Sequence, residues 1–261
     1  TPLYSSAASD VYKRQSQDAT NRYNGQLIPL FFLTVMNAST LPDVEQARFN
    51  MVEQQIRPWD VLDANVLQAL FDVRREQFVP PALRALAFSD LELPLEINAV
   101  NTRQTMLAPK VEARLAQELQ LSKSDCVLEI GTGSGYQAAL LGYLAQQVTS
   151  VEIDSRLVTF AQQNLQMNNV TNVKVETGDG RNGWGSTEYD AILVTGSVPV
   201  VPDALKYQLR VGGRLVVVVG QAPVMTACRI TRTTAASFET VNLFETVIKP
   251  LRGATVSQFK F

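Results

Sequence analysis

The chain has 261 residues, 46% of them hydrophobic, which suits one α/β domain with an appended segment. Lys plus Arg (23) nearly balance Asp plus Glu (25), so no basic field points to nucleic acid as an obligatory partner. Histidine is absent, which excludes Ser-His-Asp and Cys-His catalysis, imidazole bases and most zinc sites, and two cysteines are too few for a disulfide framework.

Residues 1–41 read as a non-native or disordered leader. The run through Gln15 has no usable periodicity, and residues 5–15 look like translated adapter sequence. The apolar stretch from Leu27 to Met36 is too short to span a bilayer, and a start at Met36 is preferred over a signal peptide. Residues 42–110 then read as a helical segment and a loop. Asp43 is the expected N-cap of a helix through Ile56, closed by Pro58, and Asp60 or Asp63 opens a second with Val66, Leu67, Leu70 and Phe71 on one face. A short third helix is expected from Ala82 to Phe88. Residues 93–110 read as an extended loop, followed by an amphipathic helix from Val111 to Leu121.

Residues 111–261 are organised around Cys126-Val-Leu-Glu-Ile-Gly-Thr-Gly-Ser-Gly-Tyr136. Its apolar run is a buried strand, and Tyr136 to Leu141 continues as a helix. Gly131, Gly133 and Gly135 allow a tight turn and the close approach of a ligand. The spacing is not the dinucleotide G-x-G-x-x-G, because the third glycine comes one position early. A second short strand, Val148 to Asp154, ends in acid, and Glu152 lies 21 residues beyond Gly131, the distance at which a carboxylate at the end of the second strand meets ribose hydroxyls. Asp154 suits the N-cap of the next helix. A third strand, Asn172 to Glu176, leads into the turn Gly178-Asp-Gly180. A fourth runs from Tyr189 to Thr195, and a helix covers Asp203 to Leu209. The remaining strands are Gly212 to Val216, Met225 to Thr231 and Phe238 to Ile248. Ligands of open α/β sheets lie at strand carboxyl ends, so Thr195, Gly196 and Ser197 are expected to border the site.

An acidic strand followed by G-x-G-x-G resembles the S-adenosylmethionine-dependent methyltransferases. Met51-Val-Glu-Gln-Gln-Ile-Arg57, Val66-Leu-Gln-Ala-Leu70 and Arg75-Glu-Gln-Phe-Val-Pro80 resemble the opening of the protein-L-isoaspartate O-methyltransferase family, as do Asp190-Ala-Ile, Pro199-x-x-Pro202 and the Pro250-Leu-x-Gly tail. The resemblance implies a Rossmann-like, doubly wound, seven-stranded α/β sheet with an N-terminal helical segment. It implies S-adenosyl-L-methionine held by Glu129, Gly131, Thr132, Gly133, Gly135, Tyr136, Glu152, Ile153, Gly178, Asp179 and Gly180, without metal. It further implies a cytoplasmic monomer that esterifies isoaspartyl residues of damaged proteins and needs neither nucleic acid nor membrane.

In the loop before the sheet, Gln104, Thr105 and Pro109 match the family wording, but the family's active-site serine position is Leu107. Thr105, Leu107 and Thr195 are therefore the candidate catalytic positions. The alternatives this departure opens are a methyltransferase of the same fold with another acceptor, or a cofactor-binding relative without catalysis.

Overall fold

Helix α1 (Leu41–Met51) opens the computed structural model, which describes residues 41–254; the readings made for residues 1–40 lie outside them. Asp43 sits within the first turn of α1 rather than capping it. The helix does not stop at Pro58. It loosens into a π turn, Val52–Ile56, then tightens into a 3₁₀ turn, Arg57–Trp59, which tolerates the proline in its first positions, and Asp60 in the left-handed conformation ends it. Of the two expected starts, Asp60 and Asp63, helix α2 (Ala64–Asp72) takes Asp63, whose carboxylate accepts from the amides of Asn65 and Val66. The predicted third helix is a 3₁₀ segment, Pro81–Leu86.

The expected extended loop is instead an antiparallel hairpin of β1 (Leu93–Ile97) and β2 (Val100–Met106). Asn98 and Ala99 turn the chain with φ of 51° and 63°, the paired positive values that match the twist of a two-residue hairpin. The two strands pair only with each other, and Leu93, Leu95, Thr102 and Met106 are their buried residues. Helix α3 (Pro109–Glu118) follows, with proline in its first turn.

The remaining elements build the sheet: β3 (Cys126–Ile130), α4 (Tyr136–Leu144), β4 (Gln147–Glu152), α5 (Ser155–Met167), β5 (Val173–Thr177), β6 (Tyr189–Val198), α6 (Asp203–Tyr207), β7 (Leu209–Gln221), β8 (Val224–Arg232) and β9 (Phe238–Glu245). Seven strands lie in the order β5-β4-β3-β6-β7-β8-β9. The first five are parallel, and β8 and β9 add antiparallel. Ala191, Ile192, Leu193 and Val194 of β6 are all fully buried, as expected of a parallel strand covered on both faces. Helix α4 is buried almost all round because it lies between the sheet and the N-terminal helices.

One apolar cluster joins Met51, Ile56 and Leu70 of the helical segment, Leu93 and Leu95 of the hairpin, and Tyr136 and Leu157 beside the sheet. The described residues from Val44 onward accordingly form one unit. Strand order reverses between β3 and β6, so their carboxyl ends part and leave a crevice. Among the described residues no helix is long and apolar enough to cross a membrane.

Candidate active site

A cavity opens at that crevice, where ligands of open α/β sheets bind. Its floor is the turn after β3. Gly131 has φ of 101°, and a Cβ there would lie 2.3 Å from the Thr195 hydroxyl, so only glycine keeps this wall open. Thr195, at the same level of β6, shares its hydroxyl proton between the carbonyls of Gly131 (2.6 Å) and Ile130 (2.9 Å), tying the two strand ends together.

Glu152 forms the next stretch of wall. Its carboxylate accepts from the amides of Gly133 and Asp154, each at 3.0 Å, so β4 holds the glycine turn in place from the side. Asp154 caps α5 as expected, and Arg156 and Arg252 hold its carboxyl well below the usual range. Beyond Glu152 the cavity is bounded by the exposed side chain of Ile153 and by Gly178, Asp179 and Gly180. A Cβ at Gly180 would strike Ile130 at 2.6 Å, which accounts for that glycine by packing. The Arg181 guanidinium engages the Asp179 carboxylate and lowers its pKa.

The opposite end is closed by Gln104, Thr105 and Leu107. Leu107 is nearly buried and packs into the core, while its carbonyl accepts from Arg75 at 2.7 Å. Arg75 is itself buried against the Glu112 carboxylate and donates to the Ala87 carbonyl at 2.9 Å; burial lowers its pKa to about 10. A buried ion pair therefore fixes the backbone at Leu107. Thr105 spends its proton on Glu92 at 2.7 Å, so its hydroxyl faces the cavity without a free donor. Behind Leu107 lies a smaller hollow, reached by Glu112, Thr132, Ser134 and Gln137. Both polar atoms of the Gln137 amide are buried without a partner among the described residues.

A model of the protein-L-isoaspartate(D-aspartate) O-methyltransferase family matches residues 46–255. The chain belongs to this family. A protein-L-isoaspartate O-methyltransferase of Rhodopseudomonas palustris is 41% identical over 206 residues, 78% of this chain and 92% of that protein. Another, from Koribacter versatilis, is 38% identical over 79% of this chain and 90% of its own length. A solved protein-L-isoaspartate O-methyltransferase superposes with a TM-score of 0.68 at 25% identity, covering 81% of this chain and 66% of that one. A putative protein-L-isoaspartate O-methyltransferase from Plasmodium falciparum, solved with S-adenosyl-L-homocysteine, shares the fold with a TM-score of 0.64 at 18% identity.

Against this methyltransferase frame, the sequence-derived residues divide into two sets. Gly131, Gly133, Glu152, Ile153, Gly178, Asp179, Gly180, Thr105, Leu107 and Thr195 line the main cavity, and Thr132 lines the hollow behind it. Three residues expected at the cofactor are not on these walls. Tyr136 is 1% exposed, its ring 5.6 Å from Phe78 and 5.0 Å from the Arg75 guanidinium, because the first turn of α4 points into the N-terminal core. Gly135 faces Ala161 of α5 at 3.2 Å, a helix-packing position. Glu129 is fully buried, bonded to the Ser150 hydroxyl, which is 2.6 Å from that of Thr132. Desolvation pushes its pKa up to about 8. It supports the turn from behind.

Ser197, expected to border the site, is also buried. Its amide donates to the Lys249 carbonyl (2.9 Å), and its carbonyl accepts from Leu251 (3.0 Å), so the tail runs beside the end of β6. That pairing brings Lys249, Pro250, Leu251 and Arg252 into the cavity wall. The sequence carried only a tail motif for these residues; nothing local foretells that they return to the strand ends.

Proposed function

We propose that this protein transfers a methyl group from S-adenosyl-L-methionine to a carboxylate of L-isoaspartyl or D-aspartyl residues in damaged proteins. The observation that carries this reading is the two-ended cavity at the β3/β6 crevice, in a chain whose family membership spans residues 46–255. One end suits the cofactor: Gly131 leaves a gap that a Cβ would fill, and Glu152 has both oxygens anchored by amides while its remaining lone pairs can accept from a cis-diol. Ile153 would supply an apolar platform and Gly178 to Gly180 the rim at the base. When bound, S-adenosylmethionine supplies an electrophilic methyl group, which is the difficult part of the chemistry.

The protein's share is binding, alignment and exclusion of water. A carboxylate acceptor is ionised at neutral pH, so no residue has to remove a proton. This agrees with a chain without histidine, in which the wall carboxylates Glu152 and Asp179 are already engaged by backbone amides and by Arg181. Leu107 and Pro250 present apolar surface near the hairpin, which strips water from the acceptor. Arg75 and Glu112 hold that wall still through the Leu107 carbonyl. Cys126 and Cys228 are free thiols, as suits action in the reducing cytoplasm, and the reading takes the protein as a monomer acting on isoaspartyl-containing polypeptides without nucleic acid or membrane.

The test is methylation of an isoaspartyl peptide with tritiated S-adenosylmethionine, its aspartyl twin serving as control. Base-labile label on the isoaspartyl peptide alone supports the proposal. Intact cofactor binding without label refutes the acceptor assignment, and labelling of both peptides refutes the specificity.

A further inference from the structure

A buried or half-buried carboxylate acceptor loses water and needs hydrogen-bond donors or a cation in exchange. At the hairpin end of the cavity the side-chain donors are mostly spent. Leu107 and Pro250 have none. The Thr105 proton goes to Glu92, and the Thr195 proton goes to the carbonyls of Gly131 and Ile130. Three cations line the cavity. Arg181 is paired with Asp179, and Arg252 with Asp154 at 2.9 Å. Lys249 is the third, and among the described residues it has no carboxylate partner. Its ammonium donates one hydrogen bond, to the Arg103 carbonyl on the hairpin at 3.0 Å, leaving two N–H groups uncommitted.

We infer that Lys249 is the acceptor-recognition residue of this enzyme: its ammonium, held at the hairpin by the Arg103 carbonyl, binds one oxygen of the isoaspartyl carboxylate and leaves the other oxygen for methylation. The assignment rests on the isoaspartyl reading above. It accounts for how a wall with leucine at position 107 engages an anion without a side-chain hydroxyl. Gln104 lines the same cavity.

The test compares wild type, Lys249→Gln, Lys249→Met and Lys249→Arg with isoaspartyl peptide and S-adenosylmethionine. Glutamine keeps an N–H for the hairpin without the charge, so it separates anion recognition from strapping of the loop. KM for the peptide should rise about tenfold to a hundredfold in both neutral variants, in line with loss of one charged hydrogen bond, while cofactor affinity by calorimetry stays within about twofold. Arginine should recover most of the loss. A KM within about twofold of wild type in Lys249→Gln and Lys249→Met, with wild type active, overturns the assignment and leaves the isoaspartyl reading standing. Recovery by glutamine as full as by arginine overturns it too, because Lys249 would then only hold the hairpin. Wild-type protein that binds cofactor yet forms no ester overturns both.

Discussion

Glu129 offers a sharp test of how the glycine turn is supported. Its carboxyl is fully buried, one oxygen bonded to Ser150 and the other without a partner among the described residues, and its pKa rises from 4.5 to about 8. Between those values the folded protein retains a proton that the unfolded chain has released. Stability is therefore greatest below the unfolded pKa and falls as pH rises toward the folded one. The slope is at most about 1.4 kcal/mol per pH unit, or about 2.7 kcal/mol between pH ~5.5 and pH ~7.5. No histidine titrates in that window. The depressed carboxylates Glu45, Asp125, Asp154 and Asp179 act at lower pH, where their stabilising charge is lost on acidification, and the raised Cys228 thiol acts at higher pH. Glu129→Gln keeps the shape and an acceptor for Ser150 but cannot ionise. Urea unfolding of both proteins, followed by tryptophan fluorescence, should show the variant gaining about 2–3 kcal/mol on wild type across the window. Parallel profiles would refute a buried, protonated Glu129.

Three other outcomes follow from the same geometry. Glu152→Ala should weaken cofactor binding about tenfold to a hundredfold by calorimetry, since it removes the diol acceptor and the partner of the Gly133 amide; unchanged affinity would take Glu152 out of the site. Leu107→Ser should raise kcat/KM on isoaspartyl peptide while costing about 2–5 kcal/mol of stability from lost core packing; no gain in correctly folded protein would show that the hairpin has abandoned the family's acceptor geometry. Arg75→Met or Glu112→Leu alone should destabilise by about 3–5 kcal/mol, because each leaves a buried charge or donor set unpaired, whereas the two together should cost less; chemical denaturation of wild type, both single variants and the double measures the coupling, and additive losses would contradict it.

Much of this protein was legible in residue order. The run Val127-Leu-Glu-Ile130 and the glycines after it determine a buried strand and a sharp turn, because an apolar run cannot be solvated and positive φ favours glycine. The caps at Asp63 and Asp154 and the carboxylate at the end of β4 were equally local signals. Tertiary structure decided the rest. Whether Tyr136 faces ligand or core depends on what α4 packs against, and α2 with Phe78 takes that face. The hairpin of β1 and β2 depends on which segments pair, and these two pair only with each other. The tail at Lys249 to Arg252 reaches the cavity only because Ser197, more than fifty residues earlier, offers its backbone amide and carbonyl as a pairing edge. A backbone edge presents the same two groups whatever its side chains, so no local sequence pattern announces it.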